Sequence, residues 1–287
     1  MGGILSFTNN LKISPLILIT RRLFFIFMIT AVSFHEASSQ EYFQQEVNFE
    51  INVSLNDTLH ALNAFEEIEY INNSPDTLHF IWFHLWPNAY SDNNTHLAKQ
   101  VFGLNGKSKL FDEPELRGFI DSLDFKVNGS RVQWKILTGQ ADICRIDLNE
   151  PLNAGDTIHI TTPFRVKIPK GVTSRLGHIE ESYQISQWYP KPAVYDQDGW
   201  HQMPYLDQGE FYSEFGRFDV RITLPDNYIV GATGNLQNHR EIEMIEKLAT
   251  DTSWINSSHI GKVPFPPSSK ETKTLQYIAD RVHDFAW

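Results

Sequence analysis

Asp207-Gln208-Gly209-Glu210-Phe211-Tyr212-Ser213-Glu214-Phe215 gathers three carboxylates in one short stretch. Two carboxyls about 5–9.5 Å apart could cleave a glycosidic bond. On one regular strand Glu210 and Glu214 would stand about 13 Å apart, at ~3.3 Å per residue. Only a bend at Gly209 or Gly216 could bring them together. The parity that buries Phe218 and Val220 also turns Glu214 inward, which predicts a bulge or a buried partner. Salt-bridged carboxylates also populate such places, so a structural role is preferred over a lone hydrolase.

The other reactive residue types are not arranged for chemistry. The chain has 11 histidines, and none stands in His-Glu-x-x-His or another close ligand pair. His79 and His84 flank an apolar strand and fall on opposite faces, because strand side chains alternate. His159 alternates with Ile158 and Ile160 and is expected in solvent. Cys144 is the single cysteine and shares a strand face with Ile146 and Leu148, which predicts a buried structural thiol. No Gly-x-Ser-x-Gly and no glycine-rich phosphate loop is present. The sequons Asn56-Asp57-Thr58 and Asn128-Gly129-Ser130 read as turn chemistry.

A second stretch has no plain strand character. Ile185-Ser186-Gln187-Trp188-Tyr189-Pro190-Lys191-Pro192-Ala193-Val194-Tyr195-Asp196 combines aromatics with two prolines. Proline cannot donate to a sheet ladder, so this is no central strand. It either covers the end of a sheet with its aromatics or forms the rim of a ligand site. In the second case Gln187 offers both donor and acceptor atoms. A Trp188, Tyr189 and Trp200 cluster would then make a freestanding module for peptide or glycan.

These residues must be positioned by strands. Val47, Phe49, Ile51, Val53 and Leu55 alternate with polar residues. So do Val132, Trp134 and Ile136, and later Phe218, Val220, Ile222 and Leu224. Strands with one wet and one dry face belong to antiparallel sheets. Asn128-Gly129 between two such runs predicts a two-residue hairpin. One short amphipathic helix is expected over Arg240 to Ala249, with Ile242, Ile245, Leu248 and Ala249 on one face. Lys99 to Glu115 reads as a loop or a loose helix, and Val263-Pro264-Phe265-Pro266-Pro267 as a stiff connector. The pattern predicts an all-β, mostly antiparallel fold, either a sandwich or an open curved sheet.

At 287 residues there is enough chain for a large core. The formal net charge of -11 argues against nucleic acid, since phosphate binding needs clustered lysine and arginine. Arg21-Arg22 precede an apolar run from Leu23 to Phe34, and Ala37-Ser38-Ser39 offers a cleavage site before Gln40. Residues 1–39 are therefore expected to be an export signal on the ordinary secretory route, the only membrane-directed feature. An uncleaved anchor is the alternative. The destination would be periplasm, cell envelope or the outside of the cell. Residues 40–262 follow as a β-sandwich and 263–287 as a connector and last strand.

The proline-rich stretch is followed by Gly199-Trp200-His201, Pro204-Tyr205 and Gly209-Glu210-Phe211-Tyr212. Then come Phe215-Gly216-Arg217-Phe218-Asp219-Val220 and Val230-Gly231-Ala232-Thr233-Gly234. With Phe83-His84-Leu85-Trp86-Pro87-Asn88-Ala89-Tyr90 and the closing Ala279-Asp280-Arg281-Val282-His283-Asp284-Phe285-Ala286-Trp287, this order resembles one family. It is the N-terminal domain of aminopeptidase N-like zinc metallopeptidases (peptidase family M1), exported bacterial type. The resemblance runs from about Gln45 to Trp287. It implies a saddle-shaped β-sandwich that closes one side of a peptide cleft. It also implies a Ser/Thr-Gln pair whose Gln approaches the peptide's amino end, matched by Ser186-Gln187. Gln187, Trp188 and Tyr189 are then the candidate substrate-binding residues. The acidic residue often found just beyond that Gln is replaced here by Trp188 and Tyr189. The family's zinc motif is absent from this chain, so no catalytic or metal residue is assigned. Zinc and a thermolysin-like catalytic domain are expected of the full-length enzyme, and the chain alone is expected to be inactive.

Overall fold

A computed structural model describes residues 42–101, 110–209, 211–251 and 266–287. The predicted export signal, Glu210 and the start of the connector at Val263-Pro264-Phe265 lie outside the described residues. The chain divides into Met1–Tyr42 and Phe43–Trp287. Everything below concerns the second unit.

Its largest sheet has nine strands. β1 (Glu46–Asn56) pairs antiparallel with β2 (Ala61–Ile71), which pairs antiparallel with β9 (Thr157–Lys167). On the other side β1 lies beside β16 (Gly216–Pro225), then β18 (Thr272–Val282) and β17 (Asn235–Leu236). Beyond β9 stand β4 (Phe119–Asp121), β5 (Lys126–Val127) and β6 (Ser130–Arg131). A four-stranded sheet runs β13 (Lys191–Pro192), β3 (Leu78–His84), β8 (Gln140–Leu152), β7 (Gln133–Leu137). Two small sheets complete the strands. One joins β10 (Gly171–Val172), β11 (Leu176–Ile179) and β12 (Ser182–Ile185), the other β14 (Tyr195–Asp196) and β15 (Gly199–Trp200).

Among the described residues, the strand pairings are antiparallel except one. β1 and β16 run parallel, from Phe49 opposite Phe218 to Ser54 opposite Thr223. A parallel pair needs a long crossover, and the whole chain between Asn56 and Gly216 supplies it. Inward residues of the nine-stranded and four-stranded sheets share a single apolar cluster, including Phe49, Ile51, Val220, Ile81, Phe83 and Ile146. The all-β expectation holds, with a two-layer core.

Strand by strand, the alternation agrees with burial in β1, where Val47, Phe49, Ile51, Val53 and Leu55 all point inward. β16 does the same with Phe218, Val220, Ile222 and Leu224. In β7 the pattern is overturned, because Ile136 is 46% exposed. β7 is an edge strand paired on one side only, so its alternation is not enforced. Asn128 and Gly129 both take positive φ, 49° and 79°, between β5 and β6, as a two-residue hairpin turn requires.

Short helices fill the connections. α1 (His96–Val101) occupies part of the stretch expected to be loop or loose helix. α2 (His239–Thr250) extends one residue past each end of the expected helix. None of its residues is fully buried, and Leu248 is exposed. Asn238, at its start, gives its side-chain oxygen to the Gln276 N–H of β18 instead of capping the helix. Among the described residues no helix is long and apolar enough to cross a membrane.

Candidate functional site

The stretch from Ile185 to Asp196 takes shape from its prolines and one unusual backbone angle. β12 ends at Ile185, and Gln187 adopts φ 57°, the left-handed region, which turns the chain. Pro190 and Pro192 then restrict the strand to the two residues of β13, at the sheet edge, where the missing donors cost nothing. Lys191 lies opposite His84 of β3, and the Ala193 N–H donates to the Trp82 carbonyl at 2.8 Å.

Its aromatics point into the core. Trp188 is 0% and Tyr189 is 1% exposed. Trp188 packs against Phe164 and Tyr189 against Phe49 and Phe218. Both rings are enclosed by these core neighbours in the described chain. Trp200 is half-buried and packs on Phe80 and Tyr195.

The polar atoms of the same stretch converge on one residue far along the chain. Asp284 Oδ1 accepts from Lys191 Nζ at 2.7 Å and from the Tyr189 hydroxyl at 2.8 Å. Its Oδ2 accepts from Gln187 Nε2, 97 residues away in sequence. Lys191 Nζ also reaches Ser213 Oγ at 3.4 Å and Gln187 Oε1 at 3.5 Å. It lies 5.2 Å from the Trp86 ring centroid and 5.1 Å from that of Tyr189, so its ammonium is partly held by aromatic faces. Burial pushes the Lys191 ammonium below the usual lysine range, and the Asp284 carboxylate opposes that shift. Opposite Lys191, His84 is pulled down to about 3 by burial and then by the lysine's charge, so it stays neutral. Its Nε2 accepts from the Met203 N–H.

Main-chain bonds reinforce this junction. Ile185 and Trp287 exchange two N–H to carbonyl bonds, each 2.9 Å long. Trp188 Nε1 donates to the Phe285 carbonyl at 3.0 Å. Ser186 Oγ donates to the Arg175 carbonyl at 2.6 Å. Gln187 is 7% exposed and the Asp284 side chain 15%, so this edge of the network reaches solvent. Asp284, Lys191 and Ser213 were not assigned from the sequence. No local spacing could have joined residues more than 90 positions apart, although Asp284 stands inside a stretch that carries the family resemblance.

Glu214 is buried, as its strand parity predicted. The register slips between Gly216 and Phe218 where β16 meets β18, and that irregularity accompanies the inward carboxylate. Glu214 Oε1 accepts from the Tyr195 N–H at 3.2 Å, and Gln44 also donates to the group. Burial, with a smaller push from Asp196, raises the Glu214 carboxyl to about 8. Glu214 sits here as a buried carboxylic acid, and its pairing with Glu210 lies outside the described residues. Cys144 is fully buried and its thiol is pushed up to about 12 by burial, as expected of a structural cysteine.

Among the described residues, no group of three or more histidine, cysteine or acidic side chains converges to hold a metal ion. The described residues therefore do not fit a zinc site, and no step through zinc is assigned to them.

No protein-family model matches the chain. No curated protein matches it in sequence either. Solved structures do match in three dimensions. An M1 zinc metallopeptidase from Deinococcus radiodurans aligns at 14% identity and TM-score 0.40. A two-domain M1 zinc metallopeptidase point mutant bound to L-arginine aligns at 12% identity and TM-score 0.41. Both alignments cover 85% of this chain and 42% of the other. A yeast LTA4 hydrolase in complex with bestatin aligns at 13% identity and TM-score 0.33, covering 72% of this chain and 27% of that one. The chain thus spans less than half the length of these structures. Similarity of this degree assigns no activity.

Proposed function

We propose that this chain is the exported amino-terminal, substrate-cleft domain of an aminopeptidase N-like zinc peptidase, and that a zinc-bearing catalytic domain follows it in the complete protein. The observation that carries this reading is the Asp284 junction. Ser186-Gln187 and His283-Asp284-Phe285-Ala286-Trp287 contribute separately to the family resemblance, yet they meet in one bonded unit. In this reading the domain binds and orients peptide, and bond cleavage belongs to the second domain. The substrate contact rests on Gln187 alone. With one amide hydrogen committed to Asp284, it keeps a second N–H and a carbonyl lone pair for a peptide. Trp188 and Tyr189 fix its position from the core side.

The test begins with the reading frame beyond codon 287. An in-frame His-Glu-x-x-His with a downstream glutamate supports the proposal, whereas a stop codon with no such frame withdraws the enzyme claim. In the two-domain protein, Gln187→Ala is expected to raise KM for short peptides about tenfold, with zinc content unchanged. An unchanged KM would remove Gln187 from the cleft.

A further inference from the structure

Away from the Asp284 junction, two imidazoles lie face to face. The ring centroids of His60 and His178 are 3.6 Å apart and their planes are inclined by 12°. His60 closes the turn between β1 and β2 with φ 46°, and His178 sits on β11 of the three-stranded sheet. Tyr183 of β12 joins them. Its hydroxyl is 2.8 Å from His60 Nδ1 and 3.4 Å from the Asp57 carbonyl, and its ring is 5.7 Å from that of His178. Main-chain bonds run alongside, from the Ile168 N–H to the His60 carbonyl at 2.9 Å and from the His178 N–H to the Pro169 carbonyl at 3.0 Å. Tyr183, with Glu181 and Ser182, also lines a groove of 370 Å³ together with Tyr228, Ile229 and Val230.

We infer that His60, His178 and Tyr183 form an acid-released clasp, which holds the three-stranded sheet on the β1–β2 turn and shapes the neighbouring groove. Neutral imidazoles stack favourably, whereas two imidazolium rings at this separation repel. His178 Nδ1 faces the Glu180 carbonyl at 3.0 Å and so carries its hydrogen there. Its Nε2 is left to take the second proton. The surrounding charge does not neutralise a doubly protonated pair. Lys167 adds positive charge toward both rings and Lys170 toward His178, while Glu181 faces both and Asp57 faces His60.

Burial holds both imidazoles below the usual histidine range. For His60 the charge of His178 comes next; for His178 the Glu180 carbonyl partly opposes the shift. The closed clasp therefore binds fewer protons than the open one. Its stability is complete above the ordinary histidine value of about 6.5 and declines as pH falls below it.

The test is hydrogen exchange on the whole chain at pH 7.5 and pH 5.0, corrected for each amide's intrinsic rate. At pH 5.0 the amides of Ile168 and His178 are expected to lose protection relative to those of β1 and β16, by up to about tenfold per pH unit below about 6.5 for one extra bound proton. His178→Phe keeps a ring in the stack but cannot titrate, so the pH-dependent loss should shrink to the share that buried His60 contributes alone. His60→Asn suits the left-handed backbone and removes the stack, so protection should be low at both pH values. The inference is overturned if the wild-type loss is no greater at these amides than across β1 and β16. It is equally overturned if the loss is undiminished in His178→Phe, or if NMR shows both rings titrating independently near the ordinary histidine midpoint.

Discussion

At the residue scale, β2 places its polarity the wrong way round at one point. Phe65 is 45% exposed while Glu66 beside it is fully buried. Leu62, Ile68 and Tyr70 share Glu66's parity and belong to the core, so the strand cannot turn Phe65 inward without turning them out. Neither Glu66 carboxyl oxygen has a hydrogen-bond partner, and burial raises its pKa well above the usual range. A raised acid favours folding fully below about pH 4.5 and loses that contribution as pH rises. Glu66→Leu is therefore expected to stabilise the protein at pH 8, by about 1–3 kcal/mol, the usual penalty for an unsatisfied buried group. The gain should shrink toward pH 5, as thermal melts at the two values would reveal. A variant less stable than the parent at pH 8 would mean that Glu66 has a favourable partner in the core. The inward placement of Glu214 was legible from parity, whereas the absence of hydrogen-bond partners for Glu66 was not.

At the scale of elements, the Asp284 junction binds the end of β18 to the edge strand β13. Removing one partner of a buried ion pair leaves an uncompensated charge, costing about 3–5 kcal/mol. Lys191→Met and Asp284→Asn are each expected to lose an amount of that order in urea unfolding. Lys191→Met/Asp284→Asn should lose less than the sum of the two single changes, and strict additivity would show that the pair is not coupled. Close approach of backbone governs Gly216. A Cβ built there would lie 1.8 Å from the Val47 carbonyl oxygen of β1, and the obstacle is main chain that cannot rotate away. Gly216→Ala should therefore destabilise by more than about 2 kcal/mol or prevent folding. A soluble variant with an unchanged melting temperature would contradict the β1–β16 spacing. The alternation of both strands predicted their burial but carried no sign that they pair in parallel, because pattern along a strand does not encode its neighbour's direction.

Across the whole molecule, buried titratable groups pull stability in opposite directions. Glu214, raised to about 8, contributes fully below about pH 4.5 and loses its contribution as pH climbs through 8. His60 and His178, both depressed, contribute above about pH 6.5 and lose their share below it. Unfolding free energy should thus form a dome across pH 4.5 to 8.5. Glu214→Gln is expected to make the alkaline limb shallower, leaving the share of Glu66, with a change in steepness of up to about 1.4 kcal/mol per pH unit for one proton. A limb unchanged in Glu214→Gln would assign the slope to another group.

The amino-acid sequence by itself determined the all-β class, the inward faces of β1 and β16, the Asn128-Gly129 hairpin, the buried thiol of Cys144 and the place of α2. These follow from local periodicity and turn chemistry, which need no knowledge of distant residues. Only the tertiary structure decided that Trp188 and Tyr189 face the core, that Gln187 and Lys191 meet Asp284, and that His60 stacks on His178. Each of these depends on residues more than 90 positions apart or on strands brought together by the sheet, and spacing along the chain carries no record of such meetings.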